Sequence, residues 1–168
     1  MKNEKTSPKL MTPSDLPEKG RQAIADILNP LVADAFALYV KTKNYHWHLS
    51  GSHFRDYHLL FDEQAGQIFA TIDVLAERVR KLGKITIRSI HHIASLQTIK
   101  DSDEEFLEAK KMVEILLKDN QKMIVNMRKA HEVADKHDDS ATASFLEVFI
   151  DETERRVWFL FETLQGDK

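Results

Sequence analysis

The chain has no cysteine among its 168 residues. Disulfides, thiolate zinc sites, iron–sulfur clusters and thiol nucleophiles are therefore excluded. Glycine (5) and proline (4) are both scarce. Pro8, Pro13 and Pro17 crowd the beginning, and none follows Pro30. So few breakers predict a nearly all-α chain. No uninterrupted apolar run reaches the roughly 18–20 residues of a membrane span. The opening MKNEKTSPKLMTPSD has no apolar segment of the secretory kind, so a cytoplasmic location is the expectation. A formal charge of −3 gives no general attraction to nucleic acid. The length suits one domain with a full core.

The pattern divides into a polar tail over residues 1–13 and a single domain over 14–168. A first helix is predicted from about 16 to 49, with Ile24, Leu28, Leu31, Ala35, Leu38 and Tyr45 on one stripe. Pro30 is expected to kink or split it. A second helix, about 55–82, carries Phe61, Ala65, Ile68, Ile72, Leu75, Ala76 and Val79, with Gly83 placed to end it. A long link over 84–102 contains a candidate short helix, SIHHIASL. A third helix is predicted from Asp101–Glu105 to about 136. A fourth, about 140–164, carries Phe145, Leu146, Phe149, Ile150, Val157, Leu160, Phe161 and Leu164. Two tightly joined helix pairs with one long crossover define a ferritin-like four-helix bundle.

The chemistry-bearing stretch is NYHWHLSGSHFRDYH, residues 44–58, where four histidines, two tyrosines and a tryptophan flank one Ser-Gly break. The second helix adds Asp62, Asp73 and Glu77 to His58. His58/Asp62 and Asp73/Glu77 are each i,i+4 pairs, and all four fall within an arc of about 100°. Asp62 and Asp73 are roughly 16 Å apart along the axis, while ligands sit about 2 Å from their metal. One ion cannot be held by both pairs of one chain. An antiparallel second copy across a twofold axis brings the His58/Asp62 end of one helix to the Asp73/Glu77 end of the other, twice. His46 lies near the end of the antiparallel first helix and reaches the same spot. Such a site is rich in nitrogen and oxygen and suits Fe(II), Mn(II) or Zn(II). Glu-x-x-His, which builds a di-iron site inside one bundle, does not occur in the chain. The competing reading of the same spacing is a solvated acidic face paired with Arg78, Arg80 and Lys81.

The run LNPLVADAFALYVKTKNYHWHLSGSHFRDYHLLFDEQAGQIFATIDVLAERVRKLG resembles the signature of the Dps family, the dodecameric miniferritins. The likeness resumes at DDSATASFLEVFIDETERRVWFL and covers about residues 22–164. It implies a ferroxidase that oxidises Fe(II), preferentially with hydrogen peroxide, at sites across the subunit twofold. The ferric product would be stored in a hollow shell of twelve subunits. Position by position it implies His46, His58, Asp62, Asp73 and Glu77 as ligands or their immediate partners, with zinc or manganese in competition with iron. Trp47 corresponds to the family's tryptophan beside the site, there to pack or to intercept oxidising equivalents.

Other residues carry weaker expectations. Asp139, Glu147 and Asp151 stand where the family lines a pore for iron, although Ser144 replaces an Asp common among relatives. His48, His53, His91, His92, His131 and His137 are read as packing or surface residues. Some Dps proteins coat DNA through a lysine-rich tail, so Lys2, Lys5 and Lys9 carry the alternative function of sequence-independent DNA compaction.

Overall fold

A computed structural model describes residues 7–165. Five α-helices account for most of them: α1 Glu18–His48, α2 Phe54–Lys81, α3 Ile90–Leu96, α4 Ala109–Lys136 and α5 Ser140–Thr163. No strand occurs among the described residues. The hairpin α1/α2 packs against the hairpin α4/α5, chiefly through α1 on α4, and α3 lies across α1 within the crossover. This is the ferritin-like arrangement the connection lengths predict.

The apolar stripes close on one core. Ile24, Leu28, Leu31, Leu38 and Tyr45 of α1 meet Phe61, Ile68, Leu75 and Val79 of α2, with Met112, Leu116, Met123 and Met127 from α4 and Leu146 and Leu160 from α5. Full burial of each large side chain contributes about 1.5–3 kcal/mol. An 18-residue window of α1 reaches mean hydropathy 1.5, apolar enough by length and composition to cross a membrane; 56% of it is buried inside the bundle.

Helix ends follow their local chemistry. Gly83, at φ 72°, closes α2: its N–H donates to the Arg80 carbonyl and that of Lys84 to the Val79 carbonyl. Only a residue tolerant of the left-handed region closes a helix in this way. Any side chain on Gly83 would also strike the Thr12 backbone at 3.0 Å. The α4/α5 turn repeats the device with Asp138 at φ 58°, and Asp139 then caps α5 by accepting the Thr142 N–H. Ser89 caps α3 by accepting the His92 N–H. Buried Asp34 of α1 pins the crossover, accepting from the Thr98 and Ile99 N–H groups and the Thr98 hydroxyl.

Several boundaries differ from expectation. Helix α1 runs unbroken through Pro30. The carbonyl that Pro30 leaves without a donor belongs to Asp26, which is exposed and can bond to water. The third long helix begins at Ala109, not near Asp103. Its expected start is recruited elsewhere: the Ser102 hydroxyl accepts from the Tyr45 hydroxyl at 2.8 Å and donates to Glu104, and the Ser102 carbonyl accepts from Asn44. Phe161, expected in the core, is 50% exposed. The reading of 1–13 as a loose tail is also too broad. Pro8–Leu10 form a short 3-10 turn, Arg80 donates to the Leu10 carbonyl and Thr12 donates to the Arg80 carbonyl.

Asp139 generates a stability prediction. Burial raises its carboxyl, but hydrogen bonds from Arg78 and Thr142 outweigh that and hold it below the ordinary carboxylate value. A lowered folded-state value gives stability that is full above the unfolded Asp range and lost as pH falls through the folded value. Asp139→Asn retains a capping side chain but loses the charge, and should cost about 1–3 kcal/mol at pH 7. Urea unfolding of variant and wild type should converge as pH falls through the lowered folded-state value of Asp139; a gap independent of pH would refute the assignment.

Candidate metal centre

The α1/α2 turn holds two imidazoles face to face. The His46 and His58 rings stack at 3.7 Å with 21° between their planes, and Phe54 stacks on the outer side of His58 at 5.0 Å. Each Nδ1 addresses the backbone carbonyl of the other residue: His46 Nδ1 to the His58 oxygen at 2.8 Å, and His58 Nδ1 to the His46 oxygen at 2.9 Å. A carbonyl only accepts, so both Nδ1 atoms carry the proton. Both Nε2 atoms are then lone-pair donors, the tautomer that binds metal. The last turn of α1 and the first turns of α2 therefore fix protonation and orientation together.

Asp62 stands one turn beyond His58. Its Oδ1 lies 3.9 Å from His46 Nε2, and 2.7 Å from the Lys43 ammonium. The hydrogen bond and charge of Lys43 hold the Asp62 carboxyl below the usual carboxylate range. With metal bonds of about 2 Å to nitrogen and to oxygen, a span of 3.9 Å is one a single ion can bridge. Trp47 is 63% exposed beside this group, with the Lys43 ammonium 5.8 Å from its ring centroid.

Asp73 and Glu77 lie further along α2, both exposed. Glu77 pairs with Lys81 at 3.1 Å. Among the described residues, no three His, Asp or Glu side chains of one chain converge on a metal position. Leu59, Asp62, Gly66, Phe69, Ala70, Asp73, Val74 and Glu77 are all exposed, and together they form one continuous acidic and apolar face along α2.

The bundle interior is chemically different. Buried Arg156 of α5 donates to Asn120 of α4 at 3.0 Å and to Thr153, while buried Gln64 of α2 donates to the Arg156 carbonyl. Burial lowers the Arg156 guanidinium to about 10, so it stays charged at neutral pH. The buried guanidinium at mid-bundle repels a metal ion. Spacing alone does not single out this cluster, though Arg156 falls on the same stripe as Leu146 and Leu160, an unusual place for a charge. Lys43 likewise reads in the sequence as one more surface lysine.

The acids suggested for a pore separate. Asp139 is corrected: it is buried, caps α5 and pairs with Arg78, so it offers no surface to a channel. Glu147 and Asp151 do line an open groove of about 450 Å³ between α4 and α5, with His131 placed 3.1 Å from Glu147. Lys9 is exposed on the 3-10 turn; Lys2 and Lys5 lie outside the described residues. Of the other histidines, His48 addresses the Asn44 carbonyl of its own helix, and His137 packs on Gly20.

A family model for the ferritin-like domain matches residues 25–168. A DNA protection during starvation protein of Brevibacillus brevis is 34% identical over 83% of this chain and 93% of its own length. A Nostoc protein described as an uncharacterized low-temperature-induced protein is 36% identical over 90% of this chain and 85% of its own. The structure of a Dps protein from Vibrio cholerae O1, described as a member of a broad superfamily of ferritin-like diiron-carboxylate proteins, superposes with a TM-score of 0.87 at 26% identity, covering 92% of this chain and 98% of that one. The chain belongs to the Dps family of ferritin-like proteins. Iron handling and cellular protection are its general role.

The imidazole pair makes a direct prediction. His46→Ala and His58→Ala each leave the other ring's carbonyl acceptor in the backbone, so the fold should persist. Each should weaken Co(II) binding, followed by its visible absorption, by about 100-fold. Unchanged affinity in both would show that neither ring is a ligand.

Proposed function

We propose that the protein is a ferroxidase of the Dps type that binds Fe(II) at sites shared between two subunits and oxidises it with hydrogen peroxide. The observation that carries this reading is the 3.9 Å span between His46 Nε2 and Asp62 Oδ1, beside a second imidazole locked in the same donor tautomer. This half-site supplies two nitrogens and a carboxylate. Asp73 and Glu77 of a twofold-related subunit supply the rest.

The register of that pairing follows from α2 alone. A twofold axis crossing near residues 67–68 places His58 against the mate's Glu77 and Asp62 against its Asp73. The same axis places Gly66 against Phe69. Phe69 is 55% exposed, and nothing lies within 4 Å of a side-chain carbon built on Gly66. The glycine thus provides the seat that a protruding aromatic ring of the mate requires.

The chemistry balances without a radical. Two Fe(II) ions each give one electron to a peroxide; the O–O bond breaks, two protons are taken up, and two waters and two Fe(III) ions result. Carboxylates favour the ferric product by charge, while imidazoles hold the ferrous substrate. Delivering both electrons at one place avoids hydroxyl radical, and protection follows from that pairing. A closed shell of twelve subunits, built from these dimers, would retain the ferric mineral.

Anaerobic Fe(II) loading followed by limiting peroxide tests the reading. Ferric absorbance should rise with about one peroxide consumed per two irons, and an assembled Asp73→Ala variant should lose the fast phase. Oxidation no faster than iron in buffer would refute it. Separately, Gly66→Leu should shift the protein to smaller species in gel filtration by obstructing the mate's Phe69; an intact particle would refute the register.

A further inference from the structure

We propose that Lys43 is a built-in counter-cation of this site, its ammonium occupying the Asp62 oxygen that a divalent ion needs, so that metal loading is an exchange of one cation for another. The inference rests on reading His46, His58 and Asp62 as metal-binding. Lys43 Nζ lies 2.7 Å from Asp62 Oδ1, and this is the same oxygen that stands 3.9 Å from His46 Nε2. An ion bridging that nitrogen and that oxygen would meet the ammonium at close range. The two positive charges repel each other and compete for the oxygen.

The structure gives the displaced ammonium somewhere to go. Lys43 lies one turn before Trp47 on α1, and its Nζ is already 5.8 Å from the indole centroid. A cation at that distance is attracted by the ring face. A small swing of a side chain only 18% exposed therefore exchanges a carboxylate contact for an aromatic one. The arrangement also answers an electrostatic difficulty. The twofold pairing brings Asp62 close to the mate's Asp73, two carboxylates that repel when the site is empty. Lys43 neutralises one of them, so subunits can assemble before metal arrives.

Zinc, which is redox-silent, isolates binding from turnover. Isothermal titration of assembled, metal-free protein with Zn(II) should show Lys43→Met binding at least about tenfold tighter than wild type. Lys43→Arg, which keeps the charge, should stay near wild type. Zinc binding detectable only in Lys43→Met would support the proposal equally. Affinity unchanged or weakened in an assembled Lys43→Met particle, with wild type binding normally, would overturn it and leave the shared metal site standing. Absence of zinc binding in both proteins would overturn the site itself and this inference with it. A second readout needs no change at Lys43. In a Trp158→Phe background, saturating zinc should shift Trp47 emission as the ammonium moves toward the indole, and constant emission would overturn the exchange.

Discussion

Two hydrogen bonds between side chain and backbone organise the candidate site of this protein. His46 and His58 each give their Nδ1 proton to the other's carbonyl, tying the last turn of α1 to the first turns of α2. At a helix C-terminus the carbonyl of His46 has no intrahelical donor, so the bond from His58 meets a requirement that any helix end has. The same bonds settle the tautomer, stack the rings and aim two nitrogens past the hairpin. Asp62, Lys43 and Trp47 are arranged around that fixed pair.

The polar groups of the bundle are sorted between its inside and its outside. Inside, Arg156 with Asn120, Thr153 and Gln64 fills the middle layer with positive charge and amides. Outside, α2 presents Asp62, Asp73 and Glu77 among Leu59, Phe69 and Val74. Ferritin-like bundles with an internal di-metal centre use converging carboxylates at mid-bundle. Here the carboxylates stand on a face that a second copy can cover. The axial separation on a single helix, roughly 16 Å between Asp62 and Asp73, keeps one chain from bringing both carboxylates to a single ion.

Much of the fold was legible because its signals are periodic. The stripe from Ile24 to Tyr45, the placement of Gly83 and the short helix after Ser89 follow from spacing and from conformational limits on single residues. The start of α4 was not legible. Asp101–Glu105 is a good helix opening locally, and only the tertiary bonds of Ser102 with Tyr45 and Asn44 divert it. Asp139 shows the same limit at the level of function. A turn acid reads as surface, yet Arg78, sixty-one residues away, draws it inward. In the candidate site, spacing brought His46, His58 and Asp62 to one place. The reciprocal carbonyl bonds and the Lys43 contact depend on how the α1/α2 hairpin closes, which periodicity does not encode.

The central claim is that each site is built from two chains. Complementation tests it most directly. Asp62→Ala and Asp73→Ala subunits are each to be purified alone and also co-expressed in equal amounts, and fast ferrous oxidation measured per particle. Each variant alone should have no intact site. In the mixture half the dimers are hybrid and each hybrid holds one complete site, so about one quarter of wild-type activity should return. No recovery in mixed particles shown to contain both chains would contradict a shared site.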